Sequence, residues 1–160
     1  MIQYKRKIKR YVIAAILLVF ATYGTIFIKN TVDSINPERS LPLINVSAGY
    51  TQPYVVRAGY TWSFGHKTVR SPYVSASDAP LTAVEPCAPG ENIVINFSAP
   101  YEYINVEVTK GLANDDFEKV YNLVTPEEEG IYVYKIDAKF EKGDILYYFA
   151  TEIKNTNLTT

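Results

Sequence analysis

Most of this chain alternates hydrophobic and polar positions, but its beginning does not. Residues 11–28, YVIAAILLVFATYGTIFI, form one apolar run with no charge inside it, closed by Lys29. At about 1.5 Å per residue this run covers roughly 27 Å as a helix, close to a hydrocarbon core of about 30 Å. A cleavable signal peptide competes with a membrane anchor here. It would have a shorter apolar region ending in a small-x-small site, to which ATYGT is a poor approximation. No cysteine lies just after the run to carry a lipid. An uncleaved signal anchor is therefore the favoured reading. Lys5, Arg6, Lys7, Lys9 and Arg10 precede the run, which orients the N-terminus to the cytoplasm and the rest of the chain outside.

Residues 29–43 have no sustained period and carry Pro37 and Pro42. They read as a juxtamembrane stalk with one helical turn near residues 36–39. Beyond them every clear element is a strand. Residues 54–64 alternate, with Tyr54, Val56, Ala58, Tyr60, Trp62 and Phe64 on one face and Arg57, Thr61 and Ser63 on the other. The same period sets Ile93, Ile95 and Phe97 inward, then Ile104, Val106 and Val108. It also groups Tyr132, Tyr134, Ile136, Ala138 and Phe140 against Lys135, Asp137 and Lys139. After Lys142-Gly143-Asp144 it aligns Ile145, Tyr147, Phe149 and Ile153. Weaker strands are predicted at 44–48, 68–74 and 119–124. Seven or eight short antiparallel strands in one domain imply an all-β, two-sheet sandwich. The predicted organisation is a basic tail (1–10), a transmembrane anchor (11–28), a stalk (29–43), an extracytoplasmic domain (44–154) and a tail (155–160).

EEEGIYVY, residues 127–134, matches the tyrosine-corner pattern of immunoglobulin-like domains, in which an acidic-x-Gly-x-Tyr run opens the penultimate strand. Together with AGYTWSFG, SASDAPL, PGENIVINF and the final hairpin, in this order, it resembles small immunoglobulin-like modules of membrane-anchored surface proteins of Gram-positive bacteria. The resemblance implies an immunoglobulin-like sandwich with Tyr132 at the corner. It puts Tyr134 where such domains often place a disulfide cysteine, and Trp62 opposite in the core. Phe140 stands where a Trp is expected. The resemblance carries no catalytic residues.

Charge narrows the function. Six of the 16 Lys and Arg residues lie in positions 1–29 and none of the 17 acids do, leaving ten against seventeen, a formal −7, for the rest. A domain that acidic repels nucleic acid, anionic lipid and anionic polymers. One cysteine, Cys87, allows no internal disulfide, although the compartment is oxidising. The sequons at Asn45, Asn96 and Asn157 matter only in a host that glycosylates.

His66 is the only histidine, which removes two-histidine metal sites and mechanisms. Pairing it with Cys87 would give a small cysteine hydrolase or transpeptidase of the sortase kind. Cys87 sits between prolines in EPCAPGEN, however, and no Arg follows Arg70, so a loop cysteine and a turn histidine are preferred. Asp115-Asp116 and residues 127–129 are paired acids, but neither run has the alternating ligand spacing of a calcium loop. They read as solvated turn charge, with a weak calcium site between loops left open. Fourteen tyrosines against one tryptophan is a further excess. Periodicity places Tyr54, Tyr60, Tyr132, Tyr134 and Tyr147 inward and leaves Tyr73, Tyr101, Tyr103 and Tyr148 outward.

The connection SPYVSASDAPLT, residues 71–82, is long and rich in small residues. Tyr73, Ser75 and Asp78 are its candidate ligand-binding residues, and an irregular crossover with Asp78 in an Asx-turn is the structural alternative. The sequence thus predicts a single-pass, non-catalytic binding module with a protein partner at the cell surface, no metal and no cofactor. Recognition of a neutral glycan or cell-wall peptide at the 73–82 edge is the alternative within binding. Loops 71–82 and 111–117 are the parts left over for function.

Overall fold

The computed structural model describes residues 2–81, 84–112 and 116–154, with side chains from residue 10 onward. Thr82, Asp115, Asn157 and the 155–160 tail lie outside the described residues. The chain divides into two compact units, Met1–Ser40 with Phe64–Thr68, and Leu41–Ser63 with Val69–Thr160.

In the first unit, helix α1 spans Ile2–Ile35. Its stretch Arg10–Ile35 is long and apolar enough to cross a membrane, with a mean hydropathy of 2.3 over its 18-residue apolar window. The helix continues through residues 29–35, where the aperiodic sequence predicts a stalk. Its hydroxyls explain how: Thr31 Oγ1 donates to the Phe27 carbonyl at 2.9 Å and Ser34 Oγ to Thr31 at 2.8 Å. Polar side chains that return to the helix's own carbonyls need no other partner. A single 3-10 turn, Pro37–Arg39, follows, as the Asn-Pro pair predicts.

The second unit is built on two antiparallel sheets. β1 (Ile44–Ala48) pairs with β5 (Ile93–Phe97) in a two-stranded sheet. The larger sheet runs in the order β3-β2-β9-β8-β6-β7. Its strands are β2 (Val55–Phe64), β3 (Lys67–Ser71), β6 (Tyr103–Lys110), β7 (Glu118–Lys119), β8 (Gly130–Phe140) and β9 (Gly143–Ile153). A ninth strand, β4 (Glu85–Cys87), pairs in parallel with the end of β9. It has three residues, a central proline and no alternation, so periodicity could not find it. The strand expected at 119–124 shrinks to β7. Beyond it the Leu123 carbonyl accepts from Ile93 N, and Asn92 bridges Val124.

The two sheets meet on an aromatic core. Phe97 of β5 packs at 5.3 Å from Phe140 and 6.0 Å from Tyr147, and Trp62 lies edge-on to Phe140 at 5.5 Å. Tyr134 stacks on Phe149, with ring centroids 4.5 Å apart and planes 4° apart. Val46, Ala48 and Ile93 close the core from the small sheet. This is the inward set predicted for β5, β8 and β9.

The alternation predicted for β2 fails at one point. Its pairing with β9 slips between Arg57 and Gly59, a β-bulge that inserts one residue and reverses the faces upstream. Tyr60 and Trp62 stay on the core face opposite Ile145 and Gly143, but upstream it is Arg57 that lies opposite Tyr147. Arg57 donates to the Pro42 carbonyl at 3.4 Å and sits 6.0 Å from the Tyr147 ring centroid. Val56 and Ala58 turn to the other face, and Tyr54, expected inward, is exposed.

That other face carries a second core. Ala58, Val133, Leu146, Tyr148 and Ala150 are buried there beneath Ala76, Ala79 and Leu81 of the crossover and beside Phe117. Tyr148, expected outward, is therefore buried, with Phe117 stacked on it at 6.1 Å. The reason is the crossover itself. Its small residues let the segment lie flat on the sheet.

Candidate functional site

Past the crossover, the outer face of the large sheet opens into a groove of about 660 Å³, within the roughly 300–1,000 Å³ of small-ligand sites. Register builds it in rows, because residues directly opposite in an antiparallel sheet share a face. One row runs Thr61, Asp144, Lys139, Tyr103 across β2, β9, β8 and β6. The next runs Gly59, Leu146, Asp137, Asn105. A third, Lys135, Glu107, Lys119, closes one side. Four strands at about 4.8 Å spacing put roughly 14 Å between the ends of a row.

Tyrosines stand at both ends. Tyr103 is 59% exposed and Tyr73 is 53% exposed. Tyr73 reaches the groove because Gly59 has no side chain: a Cβ there would meet the Tyr73 Cα at 2.7 Å. The Val74 amide then donates to the Ala58 carbonyl at 2.9 Å, and the Tyr73 hydroxyl lies 3.5 Å from Thr61 Oγ1.

The floor is charged but internally paired. Lys139 meets Asp144 at 2.9 Å, Lys135 meets Glu107 at 2.9 Å and Asp137 at 3.5 Å, and Asn105 Nδ2 donates to Glu107 at 2.9 Å. The Lys135 hydrogen bond holds the Glu107 carboxyl below its usual range. Burial alone would lower Lys135, but Glu107 and Asp137 outweigh it and the ammonium is raised. Asp144 raises Lys139.

Of the three predicted site residues, the structure brings Tyr73 into this groove. Ser75 and Asp78 belong to the adjoining turn. Ser75 Oγ donates to Asp78 Oδ2 at 2.8 Å, and the amides of Asp78 and Ala79 donate to the Ser75 carbonyl. That turn presents Ala76 to the second core, while Asp78 itself is exposed. Asn105, Asp137, Lys139 and Asp144 escaped the sequence reading as site residues. The outward phase of Asn105, Asp137 and Lys139 was legible, and Asp144 was read as part of a corner. The strand order that sets them side by side was not.

Cys87 and His66 fall in different units. Cys87 is buried and its thiol donates to the Ala48 carbonyl at 3.3 Å. Burial and then the Glu91 charge push its pKa up, opposite to what activates a thiolate. His66 stacks on Phe27 at 5.3 Å. Among the described residues no group of three or more His, Cys, Asp and Glu is placed to hold a metal. Glu128 of the acidic run pairs with Lys110. Lys110 also lies 5.7 Å from the ring centroid of Tyr132, the predicted corner tyrosine. Asn45 and Asn96, two of the sequon asparagines, face each other in register on the exposed side of β1 and β5. Comparison with protein families, with curated proteins and with solved structures returns no match for this chain.

Proposed function

We propose that this is a single-pass surface protein whose immunoglobulin-like sandwich lies outside the membrane and works by binding, without catalysis. The observation that carries the binding reading is the groove: two exposed tyrosines on either side of a pre-paired polar floor. Tyrosine adds apolar contact area at low entropy cost and keeps a polar tip, which is why it is common in recognition surfaces.

The strand order supports the finer fold assignment. β7-β6-β8-β9 follows the C′-C-F-G order of a variable-type domain, with β1 and β5 as strands A and B of the opposite sheet. On this reading β2 and β3 are an insertion that enlarges the front sheet and brings Tyr73 over it. The basic residues of α1 that precede its apolar run support the outward orientation.

The experiment is site-specific photocrosslinking in intact cells. A photoreactive residue replacing Tyr73 or Tyr103 should capture a discrete adduct. The same residue replacing Tyr121, which is exposed but outside the groove lining, should not. Equal capture at all three positions would contradict the groove as the binding surface.

A further inference from the structure

The geometry points to a short, neutral, hydroxyl-rich oligosaccharide as the ligand of the outer-face groove. This rests on the binding reading above and narrows it to a ligand class.

Charge is the first argument. Glu107, Asp137 and Asp144 line the groove with Lys119 and Lys139, and Lys135 is paired into the same floor. With Lys135 included these are three carboxylates and three ammonium groups, so neither sign of charge dominates the floor. At Lys139, Asp144 or Glu107 a charged ligand would have to compete with an existing ion pair. A sugar hydroxyl both donates and accepts. It can add to a carboxylate oxygen and a lysine N–H at once, leaving the Lys139–Asp144 pair at 2.9 Å intact.

Shape is the second. The rows run roughly 14 Å across four strands, more than one ring needs, and the groove is an open trough. A linear chain of several rings fits this form. Tyr73 and Tyr103, each more than half exposed at the two ends, offer ring faces to the apolar C–H faces of terminal sugars. The apolar floor residue Leu146 lies between them. An extended peptide is the chief competitor, but its backbone seeks an open strand edge, and this groove lies on a sheet face.

The test uses the full chain in lipid nanodiscs with defined neutral hexasaccharides (cellohexaose, hexa-N-acetylchitohexaose and maltohexaose), read by saturation-transfer NMR. Polygalacturonate and an uncharged hexapeptide serve as comparison probes. At least one neutral oligosaccharide should bind, with a Kd unchanged within twofold between 50 and about 500 mM salt, because no counterions are released. Tyr73→Ala and Tyr103→Ala should each weaken it at least tenfold, and Tyr103→Phe less than threefold. Tyr121→Ala should leave it unchanged.

Silence from all three sugars, or salt-sensitive binding of polygalacturonate alone, overturns the inference. So does preferential binding of the hexapeptide. Photocrosslinking distinguishes the two levels of failure. A protein adduct specific to Tyr73 and Tyr103, with no sugar binding, preserves the binding module and removes the glycan. Absence of both removes both.

Discussion

Tyr134 shows how a single side chain can pack well and still leave a fault. Its ring stacks on Phe149, filling the place where the sequence motif expects a disulfide half. Its hydroxyl and that of Thr151 are both buried without a hydrogen bond of ordinary geometry. Burial pushes the phenol well above its usual range. A buried hydroxyl whose polar contact is a poorly aligned Thr151 gains little there, so Tyr134→Phe should be neutral or stabilising by up to about 1 kcal/mol in urea unfolding. Tyr148 gives the opposite test of the same kind. Periodicity alone puts it outward, where truncation costs no more than about 0.5 kcal/mol. Its burial under the crossover makes Tyr148→Ala cost about 3–5 kcal/mol, as other large aromatic deletions do. The inward tyrosines 60, 132, 134 and 147 were legible because an unbroken period of two carries them. Tyr54 and Tyr148 were not. The first depends on a bulge and the second on a covering segment from elsewhere in the chain.

Among the elements, β9 holds the fold together. It pairs with β8 along its whole length and, on its other edge, with β2 over Gly143–Phe149 and with β4 over Thr151–Ile153. Gly143 opens it with φ near 154°, and a Cβ there would meet the Thr61 carbonyl oxygen at 1.9 Å. Gly143→Ala must push β2 away and should destabilise by about 1–3 kcal/mol or more. The Lys142-Gly143-Asp144 corner was readable as a turn. That its glycine also admits a neighbouring strand was not, because β2 lies far away in sequence.

The β6–β8 link has its own pH signature. Glu107 is depressed in the folded chain, so its contribution is present above the ordinary glutamate range, about 4.3. It is lost as pH falls through the depressed value. Lys135 is raised, so its contribution is present below about 10.4 and lost as pH rises through the raised value. Glu107→Gln should cost about 1 kcal/mol at neutral pH. Its stability curve should rejoin the parent's in strong acid, and a constant offset across that range would contradict the pairing.

At the scale of the whole molecule, an apolar helix and, among the described residues, nine β-strands belong to one chain. The helix was readable from its unbroken apolar run, and the strands of the final hairpin and the polar phase of β6 and β8 from periodicity. The groove was not, since it exists only once β2, β9, β8 and β6 lie side by side. In the proposed orientation the helix anchors the chain and the groove lies outside the cell, where a surface ligand can reach it. One labelling experiment tests this most directly. Tyr103→Cys in a Cys87→Ser background supplies a single thiol at the groove, and Lys7→Cys in the same background supplies one before the apolar run. A membrane-impermeant maleimide should label the groove thiol in intact cells and the tail thiol only after permeabilisation. The reverse pattern would contradict the account.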